Sequence, residues 1–449
     1  MAQDRPSTSG SDIAAAPATR RPDKAISRRA VVAGAIGNFV EWYDFVLYGA
    51  SATILARVFF PSSDPQAALI ATFATFGVAF VARPVGALVL GNLGDRAGRR
   101  NVLAAVVLAM SAGTAAIALL PGYEQIGVGA PLLLLIIRAL QGFTAGGEFG
   151  GSATFIVEYA PPGRRGRYGS WQMATVGLGS AAATATVLFF SAVLDDAQLH
   201  SWGWRIPFAL ALPLGVIGLY LRMKLDETPE YQHVSELRHA MDSKPSMPVA
   251  EAMRRHRKRI LLGAAIVTGG TVTTYVFHNY IPAYLNSERG VPLPVALGGT
   301  LIGLLVYSAA NLMWGRLSDR LGRKPFIIGG ALCLLVLTYP IFKIAQSGSL
   351  VAVAVAQALF GIFAAGVMGM VPTLLSELFP TTVRMSALSV SYTLANALFG
   401  GTAPLVVAWL VSATGTENIV VVYCVAAMSF TLVGAFVVRE TAREPMADI

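Results

Sequence analysis

Apolar residues run through the chain in twelve long stretches, each set off from the next by a short cluster of charged, glycine or proline residues. The stretches cover 30–59, 67–91, 101–120, 131–158, 168–194, 204–223, 260–286, 294–315, 325–344, 350–376, 385–412 and 419–438. About 20 consecutive apolar residues cross a bilayer as a helix. In lipid a lone segment must satisfy its own backbone hydrogen bonds, which only a helix does. A membrane β-barrel would show alternating segments of about ten residues, and these stretches are longer and apolar throughout. The pattern predicts an all-α polytopic membrane protein with twelve transmembrane helices.

Composition agrees. Of 449 residues, 55% are apolar and only 13% charged, against about 25% charged in soluble domains. A mean hydropathy of +0.60 rules out a water-soluble globule and, for most of the chain, disorder. Cys333 and Cys424 both lie in apolar stretches and form no disulfide or metal pattern. The net charge of +9 fits the excess of basic residues in cytoplasmic loops better than a nucleic-acid partner. With the N-terminus inside, 28 of the 34 Lys and Arg fall in the tails and in the loops after even-numbered spans. Arg57, Arg205, Arg289 and Lys343 face outside, and Arg83 and Arg138 are within spans. Both termini are therefore expected in the cytoplasm, in a bacterial-type inner membrane. The polar residues 1–29 read as a disordered cytoplasmic tail. Residues 224–259 read as a cytoplasmic linker ending in the basic run Arg254–Arg259, placed at the anionic inner leaflet.

The two halves repeat one another. Gly91-Asn92-Leu93-Gly94-Asp95-Arg96-Ala97-Gly98-Arg99-Arg100 follows span two, and Gly315-Arg316-Leu317-Ser318-Asp319-Arg320-Leu321-Gly322-Arg323-Lys324 follows span eight, at an offset of 224. Residues 138–165 and 357–384 match at ten of 28 positions, among them Glu158/Glu377, Pro161/Pro380 and Arg165/Arg384. Such a repeat predicts two pseudo-symmetric six-helix bundles, 30–223 and 260–438, with a short cytoplasmic tail at 439–449.

These motifs resemble the major facilitator superfamily. Gly37-Asn38-Phe39-Val40-Glu41-Trp42-Tyr43-Asp44-Phe45, Ala82-Arg83-Pro84-Val85-Gly86, Arg138-Ala139-Leu140-Gln141-Gly142 and Trp202-Gly203-Trp204-Arg205-Ile206-Pro207-Phe208 resemble its metabolite:proton symporter branch. That branch carries 2-oxoglutarate, citrate, shikimate and proline or betaine. The resemblance implies alternating access between two bundles. The long C-terminal coiled coil of osmosensing proline/betaine carriers has no counterpart in the eleven residues after Val438, which turns the expectation towards other substrates of the branch.

Ionisable side chains at membrane depth are costly and mark a pathway, a relay or an internal pair. In span one, Glu41 and Asp44 share a helical stripe with Asn38, Phe45 and Tyr48. A buried carboxyl there either carries a proton or pairs with a buried arginine. In span four, Arg138, Gln141, Thr144 and Glu148 form a second stripe. A guanidinium can bind a carboxylate through two parallel hydrogen bonds, so Arg138 either holds substrate or pairs permanently with Glu148 or Asp44. Arg138 aligns with Gln357 in the second half and Glu148 with Val367, which speaks against a purely architectural role. Asp44, Glu148 and Glu41 are the proton-coupling candidates, and Arg83 is read as structural, either paired with a span-one carboxylate or snorkelling to the cytoplasmic interface. Arg138, Gln141, Tyr48, Tyr275, His278, Asn279, Gln357 and Asn396 are the substrate-binding candidates. Gly91, Asp95, Arg96, Gly98, Arg99, Asp319, Arg320, Gly322, Arg323, Glu158, Glu377 and Arg384 are assigned to cytoplasmic gating. Glycines 142, 146 and 150 recur every four residues, as close helix packing requires.

No Gly-Lys dipeptide, HExxH, GxSxG or Cys/His metal cluster occurs. No cofactor, metal or enzymatic activity is expected. The sequence reads as a proton-coupled symporter for uptake of a small polar metabolite, first a di- or tricarboxylate such as 2-oxoglutarate or citrate. Shikimate-like acids and zwitterionic osmolytes are the alternatives, and a non-transporting sensor of the same fold is the alternative of another class. The partners expected are substrate, protons and lipid, with no nucleic acid and no obligate protein partner, the monomer being functional.

Overall fold

The computed structural model describes residues 24–97, 99–146, 148–223, 248–380 and 383–444, apart from the side chains of 24–35, 88, 91–92, 94–104, 221–222 and 248–253. Helices account for twelve crossings. Span one is Lys24–Ala50 with Ala52–Phe59, span two Pro65–Ala97 and span three Arg99–Ala118. Spans four, five and six are Gly129–Glu158, Arg165–Val193 and Asp196–Tyr220. Spans seven to nine are Arg254–Ser287, Leu293–Leu321 and Lys324–Ala345, and spans ten to twelve are Leu350–Leu378, Arg384–Thr414 and Ile419–Val437. No strand occurs among the described residues. Large apolar side chains such as Leu133, Val336 and Phe430 are exposed on the outside, where a bilayer replaces water. Part of the expected linker is helical, since the helix leading into span seven begins at Pro248 and bends at His256.

Each half repeats one packing scheme. Spans one and five, two and four, and three and six pack together, and so do seven and eleven, eight and ten, and nine and twelve. Across the molecule, span five lies along span eight and span two along span eleven. The fourth span of each half breaks at the corresponding place: helix Gly129–Ala145 gives way to Glu148–Glu158, and Leu350–Met368 to Val371–Leu378. Backbones approach closely at the glycines. A side chain at Gly142 would strike the carbonyl of Ala79, and one at Gly86 that of Phe143, so spans two and four touch main chain to main chain. Gly166 and Gly315 do the same between spans five and eight. Single π-helical turns interrupt span seven at Val276–Tyr280 and span eleven at Asn396–Gly400, a distortion often found at functional positions.

Candidate functional site

Two buried arginines of the first half lie at the centre, and they are used differently. Arg83 of span two pairs with Glu41 of span one at 3.3 Å, its guanidinium stacked 4.1 Å from the Phe45 ring centre and 4.6 Å from that of Phe80. Arg138 of span four donates to Gln141 Oε1 at 3.2 Å, and Gln141 donates to Thr114 Oγ1 at 2.6 Å. The Arg138 Nε and Nη2 atoms have no hydrogen-bond partner among the described residues. Their surroundings are aromatic: Tyr48 at 4.4 Å, Phe45 at 5.2 Å and Phe76 at 5.3 Å from the guanidinium carbon. Ring faces stabilise a cation but leave its donor edge open to an anion.

Asp44 is one helical turn from Glu41 and feels the charges of Arg138 and Glu41. It faces Ser111 and Thr114, but Thr114 directs its own hydroxyl to the Met110 carbonyl at 3.2 Å. Neither Asp44 carboxylate oxygen has a hydrogen bond of good geometry among the described residues. Glu148 is buried at the start of the second segment of span four, where a helix N-terminus favours a carboxylate.

The other candidates separate into two groups. Tyr275, His278 and Asn279 line a small cavity between the halves. Gln357 and Asn396 instead bond main-chain carbonyls of their own half, Gln357 to Phe277 at 2.8 Å and Asn396 to Tyr392 at 3.0 Å, and neither lines the cavity. Tyr48 donates to the Thr72 carbonyl at 3.1 Å, so only its ring serves Arg138. Arg205 stacks on Trp204 at 4.5 Å and donates to the Leu120 carbonyl at 3.1 Å, as an interfacial anchor does.

The halves also meet at the face where spans five, eight, ten and eleven begin or end. Asp319 accepts from the backbone N–H of Gly166 at 2.7 Å and of Arg167 at 2.9 Å, holding the first turn of span five. Arg323 bridges Asp319 at 3.0 Å and Glu377 at 3.2 Å. Arg165 reaches Glu377 at 3.5 Å, and Arg384 reaches Glu158 at 2.6 Å, both across the two halves. Arg320 points to solvent. Gly322 has φ 100°, and a side chain there would strike the Glu440 carboxylate. Glu440 accepts from the N–H groups of Arg323 at 2.9 Å and Lys324 at 3.0 Å, and Thr441 donates to Glu377 at 2.6 Å. Residues 439–444, the first part of the expected tail, are thus docked on this network. Gly91 lies within helix Pro65–Ala97, and Gly98 and the side chains of Asp95, Arg96 and Arg99 lie outside the described residues.

Sequence reasoning placed Phe45 on the stripe of span one but missed Trp42, Phe76 and Tyr307 as site residues, because aromatic residues are common in any apolar stretch. It also missed Phe149, whose ring stacks on that of Tyr392 at 3.5 Å across the halves. Glu440-Thr441 was within reach, because Glu227-Thr228 repeats it in the first half at an offset of 213.

Twelve spans in two matching bundles around a buried polar centre define a multi-pass membrane transporter. Over residues 30–246 and 232–449 the chain matches the family described as sugar (and other) transporter. It is 36% identical over 430 residues to the glycine betaine/proline/ectoine/pipecolic acid transporter OusA of Dickeya dadantii, covering 93% of this chain and 84% of that protein. It is equally identical to the proline/betaine transporter of Escherichia coli, with 93% and 85% covered. The ectoine/proline transporter ProP of Corynebacterium glutamicum is 34% identical, with 95% and 86% covered. In fold it is similar to the proton:xylose symporter XylE, at a TM-score of 0.75 and 18% identity over 94% of this chain and 98% of that one. The chain belongs to the sugar (and other) transporter family of the major facilitator superfamily, and it is a transporter, not an enzyme.

Proposed function

We propose that this transporter takes up a small zwitterionic solute of the proline or betaine kind together with protons. The observation that carries the reading is the open donor edge of Arg138, buried among rings and without an ion-pair partner among the described residues. Such a guanidinium suits one carboxylate. A di- or tricarboxylate, the first expectation from the sequence, calls for a second uncommitted cation. Arg83 is engaged by Glu41, and the spans of the second half hold no Lys or Arg at mid-depth. The named substrates of the relatives point the same way.

Asp44 is the proton carrier in this reading. An ionised carboxylate buried without hydrogen bonds is costly, which suits a group charged in only part of a cycle. Glu41 is tied to Arg83, and Glu148 is the second choice. The Asp319, Arg323, Glu377 and Glu158–Arg384 network would be the gate of the cytoplasmic face, closed while the opposite mouth opens. Uptake of labelled proline, glycine betaine, 2-oxoglutarate and citrate into proteoliposomes tests the reading. With an inward proton gradient the zwitterions are expected to accumulate, and a protonophore to stop them. Accumulation of the carboxylates alone would overturn it.

A further inference from the structure

A cavity of about 10 Å³ separates the halves beside the arginine site, room for a group about the size of one water. Its walls include Trp42 of span one, Ser180 of span five, Tyr275, His278 and Asn279 of span seven, and Tyr307 of span eight. Trp42 and Tyr275 stack across the two halves at 6.0 Å. No acidic residue is among its walls. Tyr275 and His278 are almost fully buried, and Tyr275 Oη and His278 Nε2 have no hydrogen-bond partner among the described residues. Asn279 Oδ1 lies against Gly49 of span one and likewise has no hydrogen-bond partner among the described residues. Native proteins rarely leave buried polar atoms unmet, and each is costly unless a ligand satisfies it.

The cavity adjoins Arg138 through one ring. Phe76 is 5.3 Å from the Arg138 guanidinium and 6.1 Å from the Tyr275 ring. Tyr275 is thus the cavity wall that the cationic end of a zwitterion, its carboxylate on Arg138, would reach past Phe76. Aromatic faces attract any organic cation. The unmet oxygen and nitrogen attract only one that still has hydrogen to donate.

We propose that this cavity, between Trp42, Tyr275 and His278, receives the ammonium end of the substrate and selects an ammonium that carries N–H over a quaternary one. The assignment rests on the zwitterion reading above. Two features carry it: the cavity is too small for three methyl groups as it stands, and a site built to bond N–H rejects an analogue that lacks it.

The test is counterflow in proteoliposomes of the full chain, with labelled L-proline and labelled glycine betaine in parallel. Unlabelled proline, N-methylproline and N,N-dimethylproline compete, three compounds with one ring and one carboxylate. The inhibition constant is expected to rise with each methyl, by about tenfold or more over the series. Tyr275→Phe keeps the ring and loses the oxygen, so it should weaken proline and leave N,N-dimethylproline unchanged, flattening the series. Retained inhibition by N,N-dimethylproline shows that the variant is folded. Equal constants across the series in the unmodified protein overturn the assignment. Counterflow of betaine without proline also overturns it but leaves the zwitterion reading standing, whereas counterflow of neither removes both.

Discussion

Arg138 and Asp44 share one buried region, yet Arg138 spends its one good hydrogen bond on Gln141 and Asp44 has none of good geometry among the described residues. If Arg138 binds the substrate carboxylate, Arg138→Lys keeps the charge but loses the planar fork. Binding should weaken by on the order of 1.5–3 kcal/mol, seen as a raised half-saturation in counterflow; an unchanged value returns Arg138 to a structural role. Asp44→Asn keeps size and cannot ionise. Exchange of substrate needs no net proton movement, so this variant is expected to lose uphill uptake and keep counterflow. Loss of both activities together with folded protein would instead mark Asp44 as a structural partner. These residues were legible in the sequence because an ionisable group inside an apolar stretch stands out on cost alone. The direction in which Gln357 and Asn396 point was not legible, for the converse reason. A polar amide in a span can face a shared cavity or a carbonyl of its own bundle, and only packing decides which.

Between elements, contact is made through glycine and through helix ends. At Gly142 the Ala79 carbonyl of span two leaves no room for a side chain. Gly142→Val should force the helices apart and cost about 1–3 kcal/mol or more, read as a loss of monodisperse protein by fluorescence-detected gel filtration. Asp319 acts differently, by accepting two N–H groups at the start of span five, where a carboxylate is favoured by the helix dipole. Asp319→Ala should loosen that face. With Cys333 and Cys424 changed to alanine and Ser180 to cysteine, an impermeant thiol reagent applied from the Asp319 side is expected to react faster in the Asp319→Ala background. Equal rates would remove Asp319 from the gate. The internal repeat made this network readable in advance, since a repeated Asp and Gly are not explained by positive charge at a membrane face. The stack of Phe149 on Tyr392 was not, because its partners come from different halves.

At the scale of the molecule, Glu440 links the end of the chain to the loop between spans eight and nine. Burial alone would raise its pKa, but hydrogen bonds from the N–H groups of Arg323, Lys324 and Ala442 and the Arg323 charge outweigh burial and lower it. A group with a lowered folded value stabilises above its unfolded value, about 4.3 for Glu, and that stability is lost as pH falls through the lowered folded value. Glu440→Gln should therefore reduce the thermal midpoint at neutral pH, and the difference should vanish well below pH 4. A difference that persists there would place the effect in packing and not in charge. The sequence by itself determined the spans, the two-bundle repeat and the charged candidates, because transfer into lipid penalises polar groups strongly enough to be read one residue at a time. Only the tertiary structure decided that Arg83 pairs with a carboxylate at 3.3 Å while Arg138 has no ion pair among the described residues, that the aromatic residues of spans one, two and seven converge, and that residues 439–444 dock on the network around Arg323 and Glu377. Each of these depends on which side chains from distant spans come within a few ångströms of one another, and no pattern along one helix specifies that.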